Sequence, residues 1–264
     1  MTSAHELGIV GKQTIALTLT VVGGFVDAVG YIALFQVFTA NMSGNSVHVG
    51  MYLGELDLVD LARPVCAIVA YVVGVIITRI VMEVAARSDV QRIASFTLAV
   101  EALLLLLFAR ATPAMHLGTI VDLHSPTYFL LVALLAFAMG VQTGTLTHIG
   151  LLTVYTTFVT GTLTKFSESL VRALFWIWDQ FATNTGTVSD IVRCGARQPD
   201  VCDAMFLGAV WSCYVVGAVI GTVTKSHWEL RALYFPVGVL SVFVVIDIFR
   251  PIGIQEARHQ RGAS

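Results

Sequence analysis

The chain has 264 residues, 56% of them hydrophobic and 12% charged, with a formal net charge of −2. Soluble domains carry roughly 25% charged residues, so an ordinary soluble globule is excluded, as is a disordered chain, which needs the opposite balance. Fifteen Lys+Arg against seventeen Asp+Glu, with no basic patch, also exclude a nucleic-acid partner.

Six apolar stretches follow one another along the chain: Ile15–Phe38, Leu61–Met82, Ile93–Ala109, Pro126–Gln142, Ala204–Thr224 and Ala232–Phe249. Each is close to the ~20 residues that cross a bilayer core, and backbone groups in lipid must be paired within the segment, which predicts helices. The strict alternation of a membrane β-barrel is absent. The first stretch is too apolar for too long, and lacks a small-x-small site after it, to be a cleaved leader; it is expected to stay as an anchor. With six crossings, Lys12, Arg79, Arg87, Arg92, Arg172, Arg193, Arg197, Arg250, Arg258 and Arg261 fall on one side, and Arg63, Arg110, Lys225 and Arg231 on the other. This bias predicts an inner (plasma) membrane protein with both termini in the cytoplasm and a polar cytoplasmic tail over 251–264. Cys194 and Cys202 share the loop 180–203 and are free thiols if that loop is cytoplasmic, a disulfide if the topology is inverted.

A weak repeat organises the chain. Tyr71-Val72-Val73-Gly74 recurs 143 residues later as Tyr214-Val215-Val216-Gly217. Before each lies an interrupted helix: Phe38-Thr39-Ala40-Asn41-Met42-Ser43-Gly44-Asn45, and Tyr155-Thr156-Thr157-Phe158-Val159-Thr160-Gly161-Thr162. Gly44 and Gly161 are 117 apart, and Gly23 aligns with Gly140 at the same offset. The two offsets differ by about the length of the loop 180–203, as one duplication plus one insertion would require. The expected architecture is an all-α polytopic helical membrane protein of about six transmembrane helices. They form two three-helix repeats, about 12–112 and 126–250, in a single integral membrane domain. Three crossings per half would invert the second repeat, a pattern found in secondary transporters.

The same residues resemble the YoaK-like family of bacterial multi-pass membrane proteins. The resemblance rests on Gly24-Phe25-Val26-Asp27-Ala28-Val29-Gly30-Tyr31 with Ala40-Asn41-Met42-Ser43-Gly44-Asn45. It rests also on Glu101-Ala102-Leu103-Leu104, on Met139-Gly140-Val141-Gln142 and on Thr156–Thr162. It implies a membrane protein of about six helices and supplies no substrate. The chain departs from the family pattern at Thr143, where Asn is usual, and at Thr147-His148, where basic residues are usual.

The candidate site residues follow from the interruptions. Ser43 and Thr160 are good N-caps, which predicts short helices over about 45–56 and 162–178. Their N-termini would present free N–H groups to an anionic solute. The candidate solute contacts are Asn41, Ser43, Gly44, Asn45, Gln142, Thr160, Gly161 and Thr162. Two acids are candidates for proton coupling. Asp27 lies about twelve residues, or ~18 Å, into the first stretch, and Glu101 about eight residues into the third. An acid at that depth is costly and is usually functional or paired. The alternative for both is a hydrogen bond that orients helices. Asp247, near a helix end, can reach water. Lys165 and Glu168 share a helix face and pair with each other or face a cavity. His48 and His148 flank the interruptions and can titrate near neutrality. No HExxH, GxSxG, P-loop or metal-ligand spacing occurs, so neither an enzyme nor a cofactor is expected. The reading is a small secondary transporter for a small anionic solute, proton-coupled, with the lipid bilayer and a second copy as partners. The alternative is a membrane scaffold, sensor or regulatory subunit.

Overall fold

The computed structural model describes residues 9–88, 93–111, 122–145, 148–149, 152–153, 159–182, 194–195 and 198–249. Its elements in chain order are α1 (Ile9–Ala33), α2 (Met42–Gly54), α3 (Leu58–Arg87), α4 (Ile93–Ala111) and α5 (Pro126–Thr145). A two-residue pairing of β1 (His148–Ile149) with β2 (Leu152–Thr153) follows. Then come α6 (Val159–Ala182), α7 (Pro199–Trp228), a 3-10 turn (Glu229–Leu233) and α8 (Tyr234–Phe249).

Five stretches are long and apolar enough to cross a membrane: Val10–Ala33, Leu58–Ala85, Ile93–Ala111, Pro126–Thr145 and Pro199–Phe249. The last contains both α7 and α8, joined by the 3-10 turn. The apolar stretches read from the sequence therefore all lie on helices. The first is displaced, however: α1 starts at Ile9 and stops at Ala33, five residues before the expected end.

Two close helix pairs form the frame, α1 on α7 and α3 on α5. Small residues make both possible. A Cβ added at Gly24 would lie 2.1 Å from the carbonyl oxygen of Tyr214, and one at Gly217 would lie 2.1 Å from that of Val21. Across the other pair, a Cβ at Gly140 would lie 2.3 Å from the Tyr71 oxygen and one at Gly74 2.6 Å from that of Phe137. The two helices of each pair run parallel, since Val21 and Phe25 meet Gly217 and Gly221 in the same order, and Cys66 and Thr78 meet Phe129 and Gly144. The pairs oppose each other: Tyr128 Oη near the start of α5 donates to Leu34 O just beyond the end of α1 at 2.7 Å. Farther along, Gln142 Nε2 donates to Leu19 O at 2.6 Å.

The antiparallel pair α4 and α8 closes the bundle. Arg110 Nε donates to Tyr234 Oη at 2.9 Å, and at the opposite end Ser95 N donates to Asp247 Oδ2 at 3.0 Å. The Ser95 hydroxyl donates to the same oxygen. Asp247 is fully buried and does not reach water as its position near a helix end suggested. It meets one of the free N–H groups in the first turn of α4, where a carboxylate is favoured. The core, with Leu19, Phe25, Leu105, Phe108, Leu135 and Met139 fully buried, lies among α1, α4, α5 and α8.

Candidate functional site

After α1 the chain reverses and comes back alongside it. Phe35 and Gln36 sit at φ 50° and 69°, left-handed backbone that non-glycine residues adopt only when the surroundings impose it. The returning residues 37–40 are held from three directions. Tyr128 holds Leu34 O, as above. Asn45, fully buried in α2, takes both polar groups of one residue: Nδ2 donates to Phe38 O at 2.8 Å and Oδ1 accepts from Phe38 N at 3.0 Å. Asp27 does the rest. Its Oδ1 accepts from Thr39 N at 2.8 Å, Thr39 Oγ1 at 3.1 Å and Ala40 N at 2.7 Å, and its Oδ2 accepts from Tyr214 Oη at 2.7 Å.

Asp27 therefore sits six residues, or ~9 Å, before the end of α1, nearer one end than the twelve-residue count implied. The chain descends to that level before α2 begins. The N-cap of α2 is Asn41, not Ser43: Asn41 Oδ1 accepts from Gly44 N at 3.2 Å and from Ser43 Oγ at 2.7 Å. Asn outranks or equals Ser as a cap, and the fixed position of Ala40 puts Asn41 where the cap must be. The helix accordingly covers Met42–Gly54 in place of 45–56. It turns at Asp57, which caps α3 through Val59 N and Asp60 N. Tyr52 Oη then accepts from Arg63 Nη2 at 3.3 Å, which sets α2 antiparallel to α3. Thirteen residues of helix are about 20 Å long, so the start of α2 lies at the level of Tyr71. Gly44 is packed against Phe38, whose ring also lies 4.4 Å from that of Tyr31. His48 is half-buried between the rings of Phe38 and Tyr52.

In the second half, α6 begins at Val159 and covers Val159–Ala182, longer than the expected 162–178. Thr160 and Gly161 are in the first turn, Thr160 exposed and Thr162 buried. Arg172 Nε donates to Asp200 Oδ1 at 2.7 Å, and Phe166 packs on Gly208. These contacts set α6 antiparallel to α7 and carry its first turn to the level of Tyr214. Lys165 and Glu168 are exposed on α6, and the His148 side chain lies outside the described residues.

The two tyrosines of the repeated Tyr-Val-Val-Gly motif meet matching positions. Tyr214 Oη reaches Asp27 on α1, and Tyr71 Oη donates to Thr143 Oγ1 on α5 at 3.0 Å. Tyr214 O rests on Gly24 while Tyr71 O rests on Gly140. Gly24 is thus the counterpart of Gly140, one residue from the Gly23 that the motif alignment selected. The sequence marked both tyrosines only as repeat markers; that their hydroxyls bind the polar residue three after each glycine needed the helix crossing. Gln142, one residue before Thr143, is fully buried and ties α5 to α1 through Leu19 O.

Glu101 stands apart from this network. It is eight residues into the nineteen-residue α4, fully buried, and neither carboxyl oxygen has a hydrogen-bond partner among the described residues. Among the described residues, no group of three or more His, Cys, Asp or Glu could hold a metal ion. The cysteines described are not joined in disulfides, and Cys194 and Cys202 are both exposed.

A family model, described as a protein of unknown function (DUF1275), matches residues 15–246. The chain belongs to this family. It is also 30% identical over 165 residues to the UPF0700 transmembrane protein YoaK of Bacillus subtilis (strain 168), covering 62% of this chain and 70% of that protein. No solved structure matches the chain. Membership agrees with the resemblance carried by the Asp27 and Asn41–Asn45 motifs, and the chain is a multi-pass membrane protein.

Proposed function

We propose that this protein is a small secondary transporter, not an enzyme, for a small anionic solute. The observation that carries the reading is the opposed arrangement of its two halves. Helices α1, α3 and α4 run antiparallel to α5, α7 and α8 in turn. Each half also contributes a helix, α2 or α6, that starts at the level of the motif tyrosine and runs back toward its own end of the bundle. Inverted halves with discontinuous helices starting at mid-depth are the arrangement in which transporters hold substrate. In this reading the halves are inverted repeats of three crossings. The solute site lies between the first turns of α2 and α6, with Asn41, Ser43 and Gly44 on one side and Thr160, Gly161 and Thr162 on the other; Asn45, a candidate contact in the sequence, is spent on the Phe38 backbone and supports the site from behind. Gln142 and Asp27 position the frame beneath it.

The helix directions support a topology as well. The start of α1 and the ends of α3, α5 and α8 share one face of the bundle, with Lys12, Arg79 and Arg87 toward it. Arg63, Arg110, Lys225 and Arg231 lie toward the other. The positive-inside rule then puts both termini in the cytoplasm of an inner-membrane protein. Pairing of two copies is part of the proposal, since six crossings make a small transporter.

The test is thermal stability of the detergent-purified protein against a metabolite panel at about pH 5.5 and pH 7.5. A ligand of the folded state raises the midpoint by mass action. A specific shift from one class of anion, lost when Asn41 and Thr162 are both replaced by Ala, supports transport. No shift with any solute favours the other reading, a scaffold, sensor or regulatory subunit.

A further inference from the structure

Of the two acids buried in the bundle's candidate machinery, one is fully engaged and one is not. Asp27 accepts four hydrogen bonds, three of them from residues 39 and 40. That set of partners fixes the carboxyl group in place and ties it to the returning chain and to α7. Glu101 has the opposite surroundings. It occupies the packed face of α4, among Leu98, Ala102 and Leu105, with both oxygens unpartnered.

Among the described residues, the helices packed on α4 bring no hydrogen-bonding partner to Glu101. On α5 the titratable group is Tyr128, whose hydroxyl is bound to Leu34 O. On α8 they are Tyr234, bound by Arg110, and Asp247, bound to Ser95, at the two ends of α4. The 3-10 turn carries Glu229 and Arg231 at one end of α4. On α3, Tyr71 is bound to Thr143, Asp60 pairs with Arg63 near the start of the helix and Glu83 with Arg87 near its end; Arg79, eight residues before that end, makes no hydrogen bond to Glu101. An ionised carboxylate at a helix centre in the membrane is costly, and none of these groups is bonded to Glu101. A metal cation would need about six oxygen ligands, and Glu101 stands alone. A proton needs only the carboxyl itself.

We propose that Glu101 is the proton-carrying carboxyl of this protein and that Asp27 is a fixed positioning group. The proposal rests on the transporter reading for its purpose, though its chemistry can be tested without a solute. An acid that keeps its proton in an apolar site adds across a C=N bond of dicyclohexylcarbodiimide. The carboxyl oxygen bonds to carbon, the proton passes to nitrogen, and the acyl group migrates from oxygen to nitrogen as an N-acylurea. Nothing leaves, so the protein gains the whole reagent mass.

The purified full-length protein is treated with the reagent across about pH 6 to 9 and the adduct is located by peptide mass. The expected result is one adduct on Glu101, formed more slowly as pH rises. It should be absent in Glu101→Gln, retained in Asp27→Asn, and not found on Asp27 in the wild type. Mapping on the wild type keeps the result independent of how well either variant folds. No adduct at Glu101, an adduct on Asp27 in its place, or a rate indifferent to pH would overturn the assignment. A solute-induced stability shift without Glu101 labelling would sink this inference and leave the transporter reading standing. Labelling with no solute shift would do the reverse.

Discussion

Asp27 and Asn45 show how few side chains determine a long irregular segment. Between them they satisfy Phe38 N and O, Thr39 N and Oγ1, and Ala40 N. Asp27→Ala leaves the buried N–H groups of Thr39 and Ala40 without acceptors, at about 1–3 kcal/mol each. We expect that variant to lose several degrees of thermal midpoint in detergent. Asp27→Asn keeps one acceptor oxygen and should fall between it and the wild type. If Asp27→Ala melts with the wild type, the hydrogen-bonded role assigned to Asp27 is wrong. Asn45→Asp removes the donor to Phe38 O and should destabilise by a similar amount, about 1–3 kcal/mol. The sequence flagged Asp27 as a costly acid inside an apolar stretch and Asn45 as part of the helix start after the interruption. It did not say which was structural, because the partners of Asp27 are twelve, thirteen and 187 positions away.

At the scale of elements, the crossings of α1 with α7 and α3 with α5 depend on contacts that no side chain larger than hydrogen allows. Gly24→Ala and Gly140→Ala each push a methyl group against a backbone oxygen, which cannot turn aside. Overpacking of this kind costs about 1–3 kcal/mol or more, and both variants should unfold at lower temperature than the wild type. Gly50→Ala in α2 is the control. Nothing lies within 4 Å of its added Cβ, and replacing a mid-helix glycine stabilises by about 0.5–1 kcal/mol. Equal melting of Gly24→Ala and Gly50→Ala would contradict the close crossing. Helix ends were harder to read than helix existence. The stop of α1 at Ala33 carries no Gly or Pro signal; Tyr128, Asn45 and Asp27 impose it from outside. The start of α2 moved from the expected Ser43 cap to Asn41 for the same reason.

For the whole molecule, the parallel and antiparallel pairings give α1 and α3 opposite directions, and α3 is long and apolar enough to cross a membrane, so its two ends are expected on opposite sides. Single cysteines at Gln36 and Ser88, both exposed, test this in a background without the native thiols. A membrane-impermeant maleimide should reach Gln36→Cys from one side and Ser88→Cys only from the other. Reaction of both from the same side would rule out the crossing by α3. Composition and apolar run length determined the class of this protein and its helices, because burial in lipid acts on each segment separately. The motif spacing also carried the family resemblance. What each polar residue does was decided by the tertiary structure. Asp27 and Glu101 are both acids inside apolar helices, and they differ in what packing brings to them: four donors to one and, among the described residues, none to the other.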